Sequence, residues 1–296
     1  MEKPSPVFSV IMNCHNSSRY LREAVESVLC QTYPNWELVF WDNQSVDESA
    51  AIFKSYTDER LKYFYAERHT GLSEGRKLAA AKANGKFLAF LDCDDIWSTV
   101  KLQNQFLVLS GDDSIGIAYS PYELLFEDSS AVAVKQAAYY RSIQPLPHQA
   151  CNIYERLLEG NYIIFSSVVL RKDDYDATVG FDTTLHQNED YDILLKVARL
   201  SAAICVNDKD VIYRIHSSNT SYQNGEKNFL ENRHIFSKNL PQDASVKKAI
   251  TRNETKYGLY QLAYLKKITG IATILQKGSM ILLFGILFRK IIKKVN

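Results

Sequence analysis

The chain has 296 residues, enough for one large domain or for a domain with an appendage. Its 35 basic side chains balance 34 acidic ones, which excludes a nucleic-acid partner recognised through overall charge. Five cysteines, Cys14, Cys30, Cys93, Cys151 and Cys205, form no CxxC pair, so neither a disulfide framework nor a zinc site is indicated and a reduced cytosolic compartment fits.

The N-terminus lacks the basic-then-apolar layout of a signal peptide. Residues 7–12 read as a buried strand that ends in the polar run 13–18. A helix follows, capped by Asn16 or Ser17, with Leu21, Ala24, Val25, Val28 and Leu29 at helical spacing. Residues 36–41 form a second strand ending at Asp42, and a helix runs from Asp47 to about Tyr56. Residues 61–65 are a third strand, and 71–84 an alanine-rich helix closed by Gly85.

The most informative stretch comes next. Residues 87–91 are apolar without a break, as in a strand buried on both faces, and run straight into Asp92, Asp94 and Asp95. Crowded carboxylates at the mouth of a core strand repel one another and call for a neutralising cation or donors. Mg²⁺ or Mn²⁺ suits oxygen ligands of this kind, with substrate phosphates completing the shell. The alternation of strands and helices predicts a mainly parallel α/β sheet, with the ends of the first, second and fourth strands on one edge. Asp42 would there accept hydrogen bonds from a base edge or a ribose hydroxyl, and Arg76 reaches the same edge.

The second half is less regular. Residues 115–120 suggest a strand, 122–141 an irregular or hairpin insertion, 151–159 a helix and 165–170 a strand. Residues 188–200 form an amphipathic helix that opens on Glu189 and Asp190, followed by strands at 202–206 and 211–215. From residue 225 onward the pattern is helical. Residues 280–288 are apolar on all sides and precede Arg289, Lys290, Lys293 and Lys294. That run is too short to span a bilayer but fits a helix lying at a membrane surface, or one docked on protein.

Residues 9–16, 20–28 and 31–38, the Trp41-Asp42-Asn43-Gln44-Ser45-Val46-Asp47 block and the Phe90–Trp97 block together resemble family 2 glycosyltransferases in order and spacing. The resemblance is clear over residues 7–100 and patchy to about 220. It implies a GT-A fold, a Rossmann-like nucleotide-binding sheet joined to an acceptor-binding half, over residues 1–222, with a helical region at 223–296. By that likeness Asn13, His15, Asn16 and Asp42 hold nucleobase and ribose, with Arg76 and Asp92 also on the nucleotide. Asp92 and Asp94 form the DxD signature, Asp94 being the direct metal ligand for Mn²⁺ or Mg²⁺ and Asp92 lying on ribose or metal. Glu189 and Asp190 match the Glu-Asp motif, in which Asp190 is the base. The residue 211–221 block brings in His216, which completes the metal shell or, with Arg214, contacts the diphosphate.

The chain departs from the family at Asn13-Cys14 (commonly Pro-Thr), at Gly75-Arg76-Lys77 (commonly Ala-Arg-Asn) and at Val179-Gly180-Phe181-Asp182 (one glycine lost). The implied activity is inverting transfer of a sugar from a nucleotide diphosphate, a UDP-sugar above all, to a hydroxyl of a glycan or lipid-linked acceptor. Such an enzyme would be cytoplasmic, on the inner face of the membrane through residues 279–296, and a homo-oligomer is compatible with it. A sugar-nucleotide nucleotidyltransferase and a non-catalytic nucleotide-sugar or glycan-binding partner are the alternatives.

Overall fold

The structure, a computed structural model, describes residues 5–127, 131–216, 219, 225–263, 273–274 and 279. The apolar and basic tail, 280–296, lies outside the described residues. The chain divides into two compact units, Met1–Tyr154 with Asn161–Asn219, and Glu155–Gly160 with Thr220–Asn296.

In the first unit, β1 (Phe8–Cys14), β2 (Trp36–Asp42), β3 (Leu61–Tyr65) and β4 (Phe87–Phe90) pair in parallel. β1, β2 and β4 are buried almost throughout, which is why their sequences are continuous apolar runs rather than alternating ones. The helices α1 (Ser18–Leu29), α2 (Ser49–Lys54) and α3 (Leu72–Ala80) connect them. From α1, Leu21, Ala24, Val25 and Val28 enter the core beside Phe8, Val10, Leu38 and Phe40, as their spacing predicts.

Beyond β4 the sheet is mixed. β5 (Ile96–Trp97), α4 (Lys101–Gly111), β6 (Ile115–Tyr119), β7 (Tyr122–Phe126), α5 (Ala131–Ser142) and β8 (His148–Cys151) follow, then the short α6 (Tyr154–Leu157) and a 3₁₀ turn, Phe165–Ser167. β9 (Val169–Arg171) slots antiparallel between β4 and β6, followed by α7 (Lys172–Ala177), α8 (Glu189–Ala198), β10 (Ala202–Cys205) and β11 (Val211–Ile215). The large sheet has the order β3-β2-β1-β4-β9-β6-β10-β8, and a small one has β5-β11-β7. The expected insertion at 122–141 is therefore a strand and a helix, with β7 parallel to β11. The helix expected at 151–159 starts only at Tyr154, after an edge strand, and the strand expected at 165–170 begins as a 3₁₀ turn.

Two local expectations change for physical reasons. α3 ends at Ala80, and Gly85 is not its cap. A Cβ there would lie 2.5 Å from the Ser9 nitrogen, so glycine lets the chain pass against β1. Ser17 makes no side-chain cap on α1, whereas Asp47 Oδ2, from the loop after β2, accepts the Ser18 N–H at 2.9 Å. Asp47 Oδ1 also accepts the Ser49 N–H at 3.0 Å. Desolvation pushes the Asp47 pKa up, but the hydrogen bonds from Ser49 and Ser18 outweigh it and hold it at about 2. Its contribution to stability is present above the unfolded value near ~4 and is lost as pH falls through about 2. Asp47→Ala should cost about 1–2 kcal/mol by chemical denaturation at neutral pH, the range of a lost helix cap. The deficit should vanish in acid.

In the second unit, α9 (Gly225–His234) and α10 (Ala244–Ala263) are tied by Arg233, whose Nε and Nη2 donate to the two oxygens of buried Glu254, both at 2.6 Å. Among the described residues no helix is long and apolar enough to cross a membrane.

Candidate active site

β1 and β2 run in register to Cys14 and Asp42, and β4 pairs with β1 up to Phe90, so their carboxyl ends share one edge. Just past β4 the three carboxylates separate by role. Asp95 is 1 % exposed, takes the Arg214 N–H on Oδ1 at 3.0 Å and the Ser166 hydroxyl on Oδ2 at 2.5 Å, and so braces the loop. Burial, and then the charges of Asp94 and Asp92, push its pKa well up. Asp92 and Asp94 remain half-exposed at the edge.

Asp94 Oδ2 lies 2.9 Å from Nε2 of His216, just past β11, and 3.4 Å from Nδ2 of Asn219. Arg214, on β11, donates from each of its three side-chain nitrogens. Nε donates to the Asp94 carbonyl at 2.8 Å, Nη2 to Glu23 at 2.9 Å and Nη1 to Glu127, with the guanidinium over the Tyr20 ring. It fixes the Asp94 backbone, and two carboxylates meet its charge.

Arg76, on α3, is the cross-tie. Nη2 donates to Asp92 Oδ1 and Nη1 to Glu189 Oε1, both at 2.5 Å, and its guanidinium lies over Phe165. Glu189 is buried at the start of α8. Asp190, the next residue, is half-buried and accepts the Tyr191 N–H on Oδ1 at 2.6 Å. Desolvation, then the Glu189 charge, raise its pKa to about 7 against the opposing charge of Arg76. A carboxyl so tuned can take a proton near neutral pH.

The β1 and β2 ends carry the other expected residues. Asp42 is fully buried, its Oδ1 taking the Ser45 N–H at 2.8 Å and its Oδ2 the Tyr63 hydroxyl at 2.6 Å, so it organises its own loop. Asn13 lies against Gly75, where a Cβ would come 2.8 Å from Asn13 Nδ2, and Asn13 Oδ1 is buried without a hydrogen-bond partner. Two departures from the family thus compensate each other: the larger Asn13 fits because residue 75 has no side chain. His15 and Asn16 are exposed on the same edge.

Sequence reasoning missed Ser166, Asn219 and the Glu23–Glu127 clamp. Their partners lie far off in the chain, so spacing carried no signal. Asn219 and Glu23 sat inside recognised blocks.

Among the described residues no three acidic, histidine or cysteine side chains converge as a closed metal site. The donors present nonetheless fit a divalent ion held jointly with a ligand. Asp94 offers carboxylate oxygen, His216 offers imidazole nitrogen, and Mg²⁺ or Mn²⁺ characteristically binds through one or two carboxylates plus phosphate oxygens.

Residues 9–175 match the model of glycosyl transferase family 2. The chain belongs to that family. It is 28% identical over 219 residues to an uncharacterized glycosyltransferase of Rickettsia prowazekii, covering 73% of this chain and 66% of that one. It is 36% identical over 121 residues to the UDP-Glc:alpha-D-GlcNAc-diphosphoundecaprenol beta-1,3-glucosyltransferase WfgD of Escherichia coli, covering 41% of this chain and 47% of that one. The matches thus span under two thirds of these relatives' own length. Among solved structures, Staphylococcus aureus TarS with UDP-GlcNAc superposes with TM-score 0.68 at 17% identity, over 90% of this chain and 78% of that one. Pyrobaculum calidifontis mannosyltransferase PcManGT, with GDP-Man and Mn²⁺, gives TM-score 0.64 at 16% identity over 99% and 81%. The fold of this family 2 chain is GT-A, as the resemblance implied.

Proposed function

We propose that this chain transfers a sugar from a nucleotide diphosphate donor, foremost a UDP-sugar, to a hydroxyl acceptor in one inverting displacement. The observation that carries this reading is the Arg76 tie. One guanidinium bonds both Asp92 behind β4 and Glu189 on α8, the residue next to Asp190, which ties the donor edge to the helix that carries the base. Asp190 takes the acceptor's hydroxyl proton as that oxygen bonds to the anomeric carbon. The bond from that carbon to the diphosphate breaks, and its electron pair leaves with the nucleotide. Asp94 and His216, with Asp92 nearby, would hold Mn²⁺ or Mg²⁺, whose chemistry is to offset negative charge on the diphosphate. Asn13, His15 and Asn16 line the edge on which base and ribose would lie.

The acceptor is proposed to be a lipid-linked glycan. WfgD carries such an acceptor in its name, and the apolar-then-basic composition of residues 279–296 suits an anionic lipid surface. Co-sedimentation with anionic vesicles should fall when those residues are deleted; unchanged sedimentation would remove this part.

Turnover of the donor tests the core of the reading. With Mn²⁺, UDP should be released slowly from a UDP-sugar even without acceptor, and Asp94→Ala should lower that release at least tenfold. Pyrophosphate from a nucleoside triphosphate and sugar phosphate would instead mark a nucleotidyltransferase, and no release of either kind a binding protein.

A further inference from the structure

Two thiols meet where β1 ends and the carboxylate loop begins. β1 and β4 pair in parallel from Phe8 with Phe87 to Ile11 with Phe90. The same offset, carried past the last paired residues, sets Cys14 opposite Cys93. The two segments are still together there. The Leu91 N–H donates to the Ile11 carbonyl at 3.1 Å, and the Cys93 thiol donates to the Asn13 carbonyl at 3.2 Å. Neighbouring strands run about 4.8 Å apart and a disulfide spans Cα separations of about 4.4–6.8 Å, so register partners stand within bridging reach.

Both cysteines are free, and their thiols interact with each other. The hydrogen bond from Cys93 comes first in holding the Cys14 pKa down at about 7, against desolvation by burial and with help from the Ser49 and Ser45 hydroxyls. The Ser45 hydroxyl lies 3.7 Å from the Cys14 sulfur. A thiol in that setting is in good part thiolate near neutral pH, the form that reacts. Burial restricts what can reach it. Cys14 is 1 % exposed and Cys93 6 %, between the half-exposed Asp92 and Asp94, so only a reagent of a few atoms has access. Cys14 is also one of the positions at which the chain departs from its family.

We propose that Cys14 and Cys93 are a peroxide-sensitive dithiol, which closes to a disulfide between the end of β1 and the carboxylate loop and so weakens nucleotide binding. The Cys14 thiolate attacks one oxygen of hydrogen peroxide. The O–O bond breaks, hydroxide leaves and takes up a proton as water, and Cys14 becomes a sulfenic acid. The Cys93 sulfur then displaces the sulfenic hydroxyl, which departs with the Cys93 proton as a second water while the S–S bond forms. Two electrons pass from the sulfurs to the peroxide. The bridge removes the Cys93–Asn13 hydrogen bond and turns Cys93, and its chain neighbours Asp92 and Asp94 turn with it. The loss of donor binding rests on the nucleotide-donor reading above; the bridge itself does not.

Hydrogen peroxide treatment of the full chain tests this, followed by non-reducing digestion and mass spectrometry. A peptide linking residues 14 and 93, lighter than its two parts by a pair of hydrogens, should appear in the wild type and be missing from Cys14→Ser and Cys93→Ala. Calorimetry with UDP and Mn²⁺ reads the consequence. Oxidation should weaken UDP binding about tenfold, as displaced supports of metal ligands do, and dithiothreitol should restore it to within about twofold. Either variant should keep its own affinity through the same treatment. No linked peptide, a linked peptide with unchanged affinity, or a loss in both variants equal to that of the wild type would overturn the switch; the last would assign the loss to another thiol, such as the exposed Cys30 or Cys151. A reduced wild type that binds no UDP would overturn the donor reading and with it the effect on binding, while the linked peptide still decides the bridge.

Discussion

Asp190→Asn is expected to lower kcat by about 10²–10⁴-fold, the usual worth of a positioned general base, while donor affinity changes less than about twofold. The amide is nearly isosteric and can still accept the Tyr191 N–H, so the helix start should survive and melting should barely move. The pH profile supplies the sharper test. The base works only when ionised, and its pKa lies at about 7, so kcat should rise as pH increases through that value and level off above it. Glu189 is the largest charge contribution to that elevation, so Glu189→Gln should move the rising limb to lower pH. Activity within tenfold of wild type in Asp190→Asn, or a rate flat across pH 6–8, would place the base on another residue.

How much of this was legible beforehand follows from the kind of signal each feature carries. β1, β2 and β4 were readable because burial on both faces demands unbroken apolar runs, and their common direction then put Asn13, Asp42 and Asp92 on one edge. Glu189–Asp190 and His216 stood out only through the family resemblance, since first-turn acids and a lone histidine after a strand carry little signal of their own. What depended on distant partners was not readable. The cap of α1 comes from Asp47 of another loop, and Arg76 meets Glu189 across 113 positions. Nor did composition reveal that Arg214 has Glu23 and Glu127 on its guanidinium.

The departures from the family were visible as residues but not as geometry. Val179 occupies the place of the lost glycine at φ 69°, a conformation that a β-branched side chain adopts only under strain. Phe181, two residues on, is buried against Phe90 and Phe165, which lie next to the carboxylate loop. That packing gives a physical reason for the turn to persist without the glycine. Sequence shows that a rule is broken; only the packing shows what holds the exception in place.

Arg76→Met should be the most damaging single change in the first unit, at about 3–5 kcal/mol of stability, because it strands a charge inside the protein. The two ion pairs of Arg76 are unequal. The Asp92 side chain is 43% exposed and keeps much of its hydration, so that bond adds little net energy. The Glu189 side chain is 1% exposed, and without the guanidinium its carboxylate must lose its proton-free form or its burial. The loss should therefore shrink in the double variant Arg76→Met/Glu189→Gln, which removes the buried charge with its partner, whereas adding Asp92→Asn should recover almost nothing. Arg76→Lys should resemble the methionine variant, since one ammonium cannot aim two rigid donors at carboxylates on different elements. Urea unfolding of the four variants measures the coupling directly. Equal recovery from the Glu189 and Asp92 partners would mean that the buried contact is not what Arg76 is kept for. If Glu189 alone recovers stability while catalysis stays lost, the guanidinium is needed twice: once to neutralise the start of α8, and again to hold Asp190 in line with the donor edge.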